Sequence, residues 1–170
     1  IRYNGSAWAL DASTGYNVST AQALWVNQSG ALAIGSGTMG ATSNRFDGSA
    51  WTAANVGFYS AMYGVYGFSD SDVWAVGLLG ALFHYDGQSW SPAALSAPAG
   101  NFNFNAIWGS GPSDIWIGGA NYSLTSPNYG YLRRYNGTSW SPAQIAPMPI
   151  INSIHGTQPA NVHAAGENGL

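Results

Sequence analysis

Four segments of this chain share one pattern: Arg2-Tyr-Asn-Gly-Ser-Ala-Trp8, Arg45-Phe-Asp-Gly-Ser-Ala-Trp51, His84-Tyr-Asp-Gly-Gln-Ser-Trp90 and Arg134-Tyr-Asn-Gly-Thr-Ser-Trp140. Their tryptophans are spaced 43, 39 and 50 residues apart. A second element lies between them, Val65-Tyr-Gly-Phe-Ser-Asp-Ser-Asp-Val-Trp-Ala-Val-Gly77. It returns as Ile107-Trp-Gly-Ser-Gly-Pro-Ser-Asp-Ile-Trp-Ile-Gly-Gly119 and as Ile154-His-Gly-Thr-Gln-Pro-Ala-Asn-Val-His-Ala-Ala-Gly166, with a shorter copy from Leu24 to Gly35. Two coupled motifs recurring in step restrict the chain to a repeat architecture, in which one unit buries its apolar face only by stacking on the next.

Each unit reads as four short strands. Strand A ends in an Ile-Trp-Gly-like run and strand B is Val-Trp-Ala-Val-Gly. Strand C ends at Arg/His-Tyr, a two-residue Asn-Gly or Asp-Gly turn follows, and strand D starts before the Trp. Both residues of such a turn tolerate positive φ, which makes the pair a strong hairpin signal. A four-stranded unit of ~43 residues is the size of a β-propeller blade. The expected fold is therefore all-β: a propeller with about four blades in this chain, or part of a larger one. The expected units are the end of a blade over 1–22, blades over 23–64, 65–106 and 107–153, and the start of a blade over 154–170. Tyr66 and Trp74, Trp108 and Trp116, and His155 and His163 flank the A–B turns symmetrically. Even spacing about a hairpin puts each pair on one face, where it would form the layer between blades.

The chain opens inside a strand C and stops after a strand B. Gly169-Leu170 followed by Ile1-Arg2-Tyr3 would approximate the run that ends in His84-Tyr85, so the two half-blades could pair and remove exposed edges. The alternatives are a stretch of a longer propeller and two chains assembled into one ring. Ile1 in place of an initiator Met, and no signal-peptide pattern, fit a processed chain or a piece of a longer one.

Composition narrows the partners. Only 6% of the 170 residues are charged, the net charge is −3, and Lys+Arg number 4, all of them Arg. Nucleic acid needs a basic face with several phosphate contacts, which this chain does not supply. The same shortage excludes a polybasic membrane-surface site. No apolar run approaches the ~18 residues of a spanning helix, so membrane insertion is not expected. With 46% hydrophobic residues, 8 Trp and 10 Tyr the chain can fill a core. Its 23 Gly argue for many turns. No cysteine is present, which removes disulfides and thiolate metal sites.

At Ser71-Asp-Val-Trp-Ala-Val-Gly77 and His84-Tyr-Asp-Gly-Gln-Ser-Trp90 the chain resembles the Asp-box (BNR-type) propeller repeats. It is most similar to the Trp-rich repeats of bacterial, notably myxobacterial, surface and secreted proteins. The Asp-box of related sialidases reads S-x-D-x-G-x-x-W, whereas the Asp-Gly pair here is contiguous. The resemblance implies that Asp or Asn caps its own turn and that the Trp packs below it. Asn4, Trp8, Asp47, Trp51, Asp86, Trp90, Asn136 and Trp140 are then scaffold, not active site.

Catalytic readings fare poorly. A sialidase needs an arginine cluster, a Tyr/Glu pair and an acid. Arg133 and Arg134 are neighbours on a strand and point to opposite faces, while Arg2, Arg45 and Arg134 are distributed by the repeat. Asp70, Asp72 and Asp114 fall in A–B turns, where Asp commonly bonds its own backbone. His84 replaces an Arg of the repeat and reads as an exposed strand residue. His155 and His163 replace a Trp pair; they lack an evident third metal ligand. No phosphate-binding or zincin motif occurs. The chain is expected to be no enzyme, with no cofactor and no metal.

Surface recognition remains. The A–B and C–D turns share one rim, and the D–A and B–C connections share the other, where this sequence varies most. The B–C connection after Gly119 is longer by about eight residues and carries Asn121, Tyr122, Tyr129 and Tyr131. D–A connections carry Phe58, Tyr59 and Tyr63, and Phe102 and Phe104, whose rings serve equally to complete the core. Tyr and Asn are the residues adaptable contact loops use. Asn121, Tyr122, Tyr129, Tyr131, Tyr59 and Tyr63 are therefore the candidate ligand-binding residues. The expected function is a non-enzymatic extracellular or cell-surface binding and assembly module with a protein partner. The alternative is a carbohydrate-binding lectin. A lectin should repeat its contacts from blade to blade, and these rim loops differ. Homo-oligomerisation stays open.

Overall fold

The computed structural model describes residues 2–9, 20–37, 40–54, 57, 60–95, 102–122, 129–141 and 149–167. The strands follow the repeat. A hairpin, β1 (Arg2–Tyr3) and β2 (Trp8–Ala9), comes first. A four-stranded sheet follows, made of β3 (Thr20–Val26), β4 (Ala31–Gly37), β5 (Gly40–Phe46) and β6 (Trp51–Ala54). The second sheet is β7 (Met62–Ser69), β8 (Asp72–Gly77), β9 (Leu82–Tyr85) and β10 (Trp90–Pro92). The third contains β11 (Phe102–Gly111), β12 (Asp114–Asn121) and β13 (Tyr129–Tyr135), with Trp140 bridged back to Tyr135. The fourth is the pair β14 (Ile151–Gln158) and β15 (Asn161–Gly166). Every ladder is antiparallel and joins sequence neighbours. Among the described residues no helix is long and apolar enough to cross a membrane. The junction expected between 169–170 and Ile1 lies outside the described residues.

Strand A of each sheet begins ahead of the unit boundaries at 23, 65, 107 and 154. Phe102 and Phe104 alternate with Asn103 and Asn105, and this period of two lines one face of β11 with rings that are almost fully buried. Met62 and Tyr63 likewise belong to β7 and not to a connection.

The core is divided into layers, one between each pair of successive sheets. Leu32 and Ile34 of the first sheet meet Met62, Val65 and Val73 of the second. Trp74 and Val76 meet Phe104, Ile107 and Ile115 of the third. Ala106 and Trp108 meet Ile151 and Ile154 of the fourth. The first strands of successive sheets, β3, β7, β11 and β14, pack on one another in order. Val65, Ile107 and Ile154 are buried by the sheet before them, whereas Leu24, at the same repeat position in the first sheet, is exposed.

The aromatic pairs face one another as the spacing predicts: Tyr66 opposite Trp74, Trp108 opposite Trp116, His155 opposite His163. In the first sheet the same register puts Trp25 opposite Leu32. The Trp25 indole reaches across the layer and donates to the Gly67 carbonyl at 3.0 Å.

The C–D turns differ from the two-residue expectation. Tyr3 pairs with Trp8, Phe46 with Trp51, Tyr85 with Trp90 and Tyr135 with Trp140, so four residues separate the strands. Only the glycine of each turn has positive φ, 91–100° at Gly5, Gly48, Gly87 and Gly137. The Asx residue before it instead accepts two backbone N–H groups with its own side chain. In the first full sheet, Ser49 N and Ala50 N each donate to Asp47 Oδ1 at 2.9 Å. Asn4, Asp86 and Asn136 do the same. Tyr3, Tyr85 and Tyr135 add a hydroxyl bond to the carbonyl of the turn glycine. Each opposed ring pair lies 5.1–5.4 Å between centroids.

Candidate functional site

The candidate contact residues on the B–C and D–A rim that the structure describes differ in their surroundings. Asn121 and Tyr129 are opposed in the β12–β13 ladder, so the long connection is a longer hairpin and not a loop at those positions. Asn121 is buried. Tyr131 is fully buried, its ring 4.7 Å from Phe102 and 5.4 Å from Phe104, so it belongs to the core. Burial raises its phenol pKa. Tyr122 is exposed. Tyr63 is half-buried in β7. Tyr59 and the side chain of Tyr129 lie outside the described residues, as does Phe58.

Two side-chain ladders account for Asp72 and Asp114 of the A–B turns. Asp72 opens β8 with its carboxylate on the same face as Trp74, two residues on. Its Oδ1 accepts from Trp74 Nε1 at 2.9 Å and lies 2.8 Å from His84 Nε2. The imidazole covers the indole with centroids 4.3 Å apart. In the third sheet Arg134 Nε donates to Asp114 Oδ1 at 2.6 Å and its guanidinium lies over Trp116, 5.4 Å from the ring centroid. His84 is thus a paired, half-buried residue and not a bare strand side chain. Asp72 and Asp114 tie side chains together instead of capping their own turns. Arg133, the neighbour of Arg134, is buried on the opposite face, as alternation requires.

The first sheet breaks this pattern. Leu32 stands opposite Arg45, where Trp74 stands opposite His84 and Trp116 opposite Arg134. Its A–B turn, Asn27 to Gly30, is an Asx turn: Ser29 N and Gly30 N donate to Asn27 Oδ1. Gly30 occupies the place of Asp72, and a Cβ there would lie 1.9 Å from the Phe46 carbonyl oxygen. No carboxylate can stand at that point. Arg45 therefore faces no acid at the position equivalent to Asp72 and pairs with Asp70 of the next sheet, at 3.6 Å. Asp70 also accepts from Asn27 Nδ2 at 2.6 Å and from the Ser29 hydroxyl. The hydroxyl of Ser29, then the amide of Asn27, and last the charge of Arg45 hold its carboxyl below the usual range.

Beside this cluster, between the first and second sheets, opens a cleft of about 480 Å³. Trp25, Leu32, Phe46, Tyr85 and Trp90 give it apolar surface, and Asn27, Arg45, Asp70, Gln88 and Ser89 add polar groups. Its size falls in the ~300–1,000 Å³ range of small-ligand sites, and few polar groups on apolar walls is their usual make-up. Apart from Gly57 of a D–A connection, the residues come from A–B and C–D turns and the strand ends beside them, toward the rim opposite to the one the sequence pointed to. The signal that could have found the cleft is Leu32 itself, an aliphatic residue where two sister repeats carry Trp and one carries His. Among the described residues no group of three or more His, Asp or Glu is placed to hold a metal.

No family model matches the chain, and no curated protein does. Among solved structures it is similar to YCF48 bound to a D1 peptide, with 18% identity and a TM-score of 0.58. YCF48 is a β-propeller.

The fold is of the β-propeller kind.

The match covers 95% of this chain and 52% of the YCF48 chain, so the chain spans about half the length of that propeller. Its consecutive sheets correspond to blades of that fold, and the cleft lies between two of them.

Proposed function

We propose that this protein is a non-enzymatic binding module that docks a segment of a protein partner in the cleft between its first and second full blades. The carrying observation is the cleft: aromatic surface for apolar side chains, with Arg45 and Asp70 to orient a polar backbone or side chain. The structure of YCF48 with a D1 peptide supports the reading, since a propeller of this kind has a peptide ligand. The carboxylates point the same way. Asp47 and Asp86 cap turns, and Asp70, Asp72 and Asp114 are held by hydroxyl, amide, indole, imidazole or guanidinium groups. A general acid or base needs a carboxyl poised toward substrate. An extracellular or cell-surface setting, and kinship with the Trp-rich bacterial repeats, form part of the proposal and rest on the sequence resemblance.

The test is selection from a library of random linear peptides, run beside a glycan array. Enriched peptides whose binding falls at least tenfold with Arg45→Glu, and is unchanged by Tyr122→Ala, are the expected result. Sugar-competed binding without peptide binding would replace this reading with the lectin one. Binding sensitive only to Tyr122→Ala would move the site to the other rim.

A further inference from the structure

The interface between the second and third blades contains a filled version of the same slot. There Trp74 projects from β8 against Tyr135 and Trp140 of the next blade, with ring centroids 5.5 and 6.1 Å away. His84 closes the slot from the adjoining strand. One interface earlier the ring pair and a basic neighbour recur among the described residues, whereas the indole does not, and Gly30 stands in the place of Asp72. Tyr85 and Trp90 stand for Tyr135 and Trp140, Arg45 stands for His84, and Leu32 stands for Trp74. The cleft is bounded by these four residues.

We infer that the slot takes a tryptophan side chain from the partner segment, its indole lying between Arg45 and the Tyr85–Trp90 pair as Trp74 lies between His84 and the Tyr135–Trp140 pair. This rests on the protein-binding reading and names the anchor that reading lacks. Three features make indole the fitting group. The far wall is the same tyrosine–tryptophan pair that receives Trp74, with rings tilted 37° in both blades. The near wall is a guanidinium, which is attracted to an indole face, as Arg134 is over Trp116. Asp70, which lines the cleft beside Arg45, offers a carboxylate for an indole N–H as Asp72 does for that of Trp74. Indole is the side chain that meets all three together, with a flat face for the rings and the guanidinium and an N–H for the carboxylate.

N-acetyl-L-tryptophanamide, titrated into the uniformly nitrogen-15-labelled chain, tests this directly, with N-acetyl-L-alaninamide as control. The expected result is movement of the Trp25 and Trp90 indole N–H resonances, a dissociation constant of about 0.1–1 mM, and no effect of the control. Leu32→Trp fills the slot from within and is expected to weaken the probe at least tenfold. Should that variant fail to fold, Leu32→Phe fills part of it and is expected to weaken binding severalfold. Absence of probe binding, equal binding of the alanine control, or full binding by a folded Leu32→Trp protein would overturn the inference. Selected peptides that depend on Arg45 but carry no aromatic residue would overturn it too, and leave the protein-binding reading standing. Probe binding with no peptide selected would overturn the protein-binding reading and with it the partner tryptophan, leaving a slot for a free indole.

Discussion

Asp47 shows how a single side chain sets the behaviour of a turn. The N–H of Ala50, then the N–H and hydroxyl of Ser49, bring its pKa down to about 2. Asp86 is lowered in the same way by the N–H groups of Ser89 and Gln88. In the unfolded chain an aspartate titrates near ~3.9. The folded pKa lies lower, so the turn contributes its full stability above pH ~4 and loses it as pH falls toward about 2. Asp47→Asn keeps the acceptor and removes the charge, as Asn4 and Asn136 already do. The expected outcome is a urea midpoint at pH 2.5 closer to its pH 6 value than in the parent protein. Leu79 makes a second residue-scale case. It is exposed yet sits at φ 57°, in the left-handed region that disfavours a side chain. Leu79→Gly should raise stability by about 0.5–1 kcal/mol, readable in a thermal melt.

At the scale of elements, the interblade layer is where packing concentrates, and one substitution compares its two forms. Trp74 is buried, holds an indole bond to Asp72 and fills the space before Tyr135 and Trp140. Trp74→Leu should cost roughly 2–4 kcal/mol, because it deletes ring contacts and leaves a cavity. It should also create a second site for N-acetyl-L-tryptophanamide, visible as a doubled stoichiometry. The hairpins were legible in the sequence because a four-residue turn with an Asx cap and a glycine is a local device, decided within seven residues. The strand pairing was legible for the same reason, since symmetric spacing about a turn fixes register. The cleft was not, because it arises from the shorter reach of Leu32 at a point that Trp74 spans in the next layer. Nor were the roles of Asp70 and Asp72, which depend on side chains from another strand or another blade. Tyr131 and Asn121 misled because a long connection between strands reads as loop, although antiparallel pairing can extend a hairpin without any change in composition.

For the whole molecule, the layered core predicts how perturbations combine. Met62 belongs to the layer between the first and second blades and Ile151 to that between the third and fourth, and these two clusters share no residue. Met62→Ala and Ile151→Ala should each destabilise by about 2–5 kcal/mol. Their effects should add to within about 0.5 kcal/mol, provided denaturant unfolding of the double variant stays cooperative. Non-additivity would mean that strain passes along the stack. Repetition of the blade also gives the molecule an internal reference. At equivalent points of one backbone pattern it carries a tryptophan in the second blade and a leucine in the first, each facing a tyrosine–tryptophan pair. A truncation and its parent thus share one polypeptide, one solvent and one unfolded state, and the difference between them can be read in a single sample.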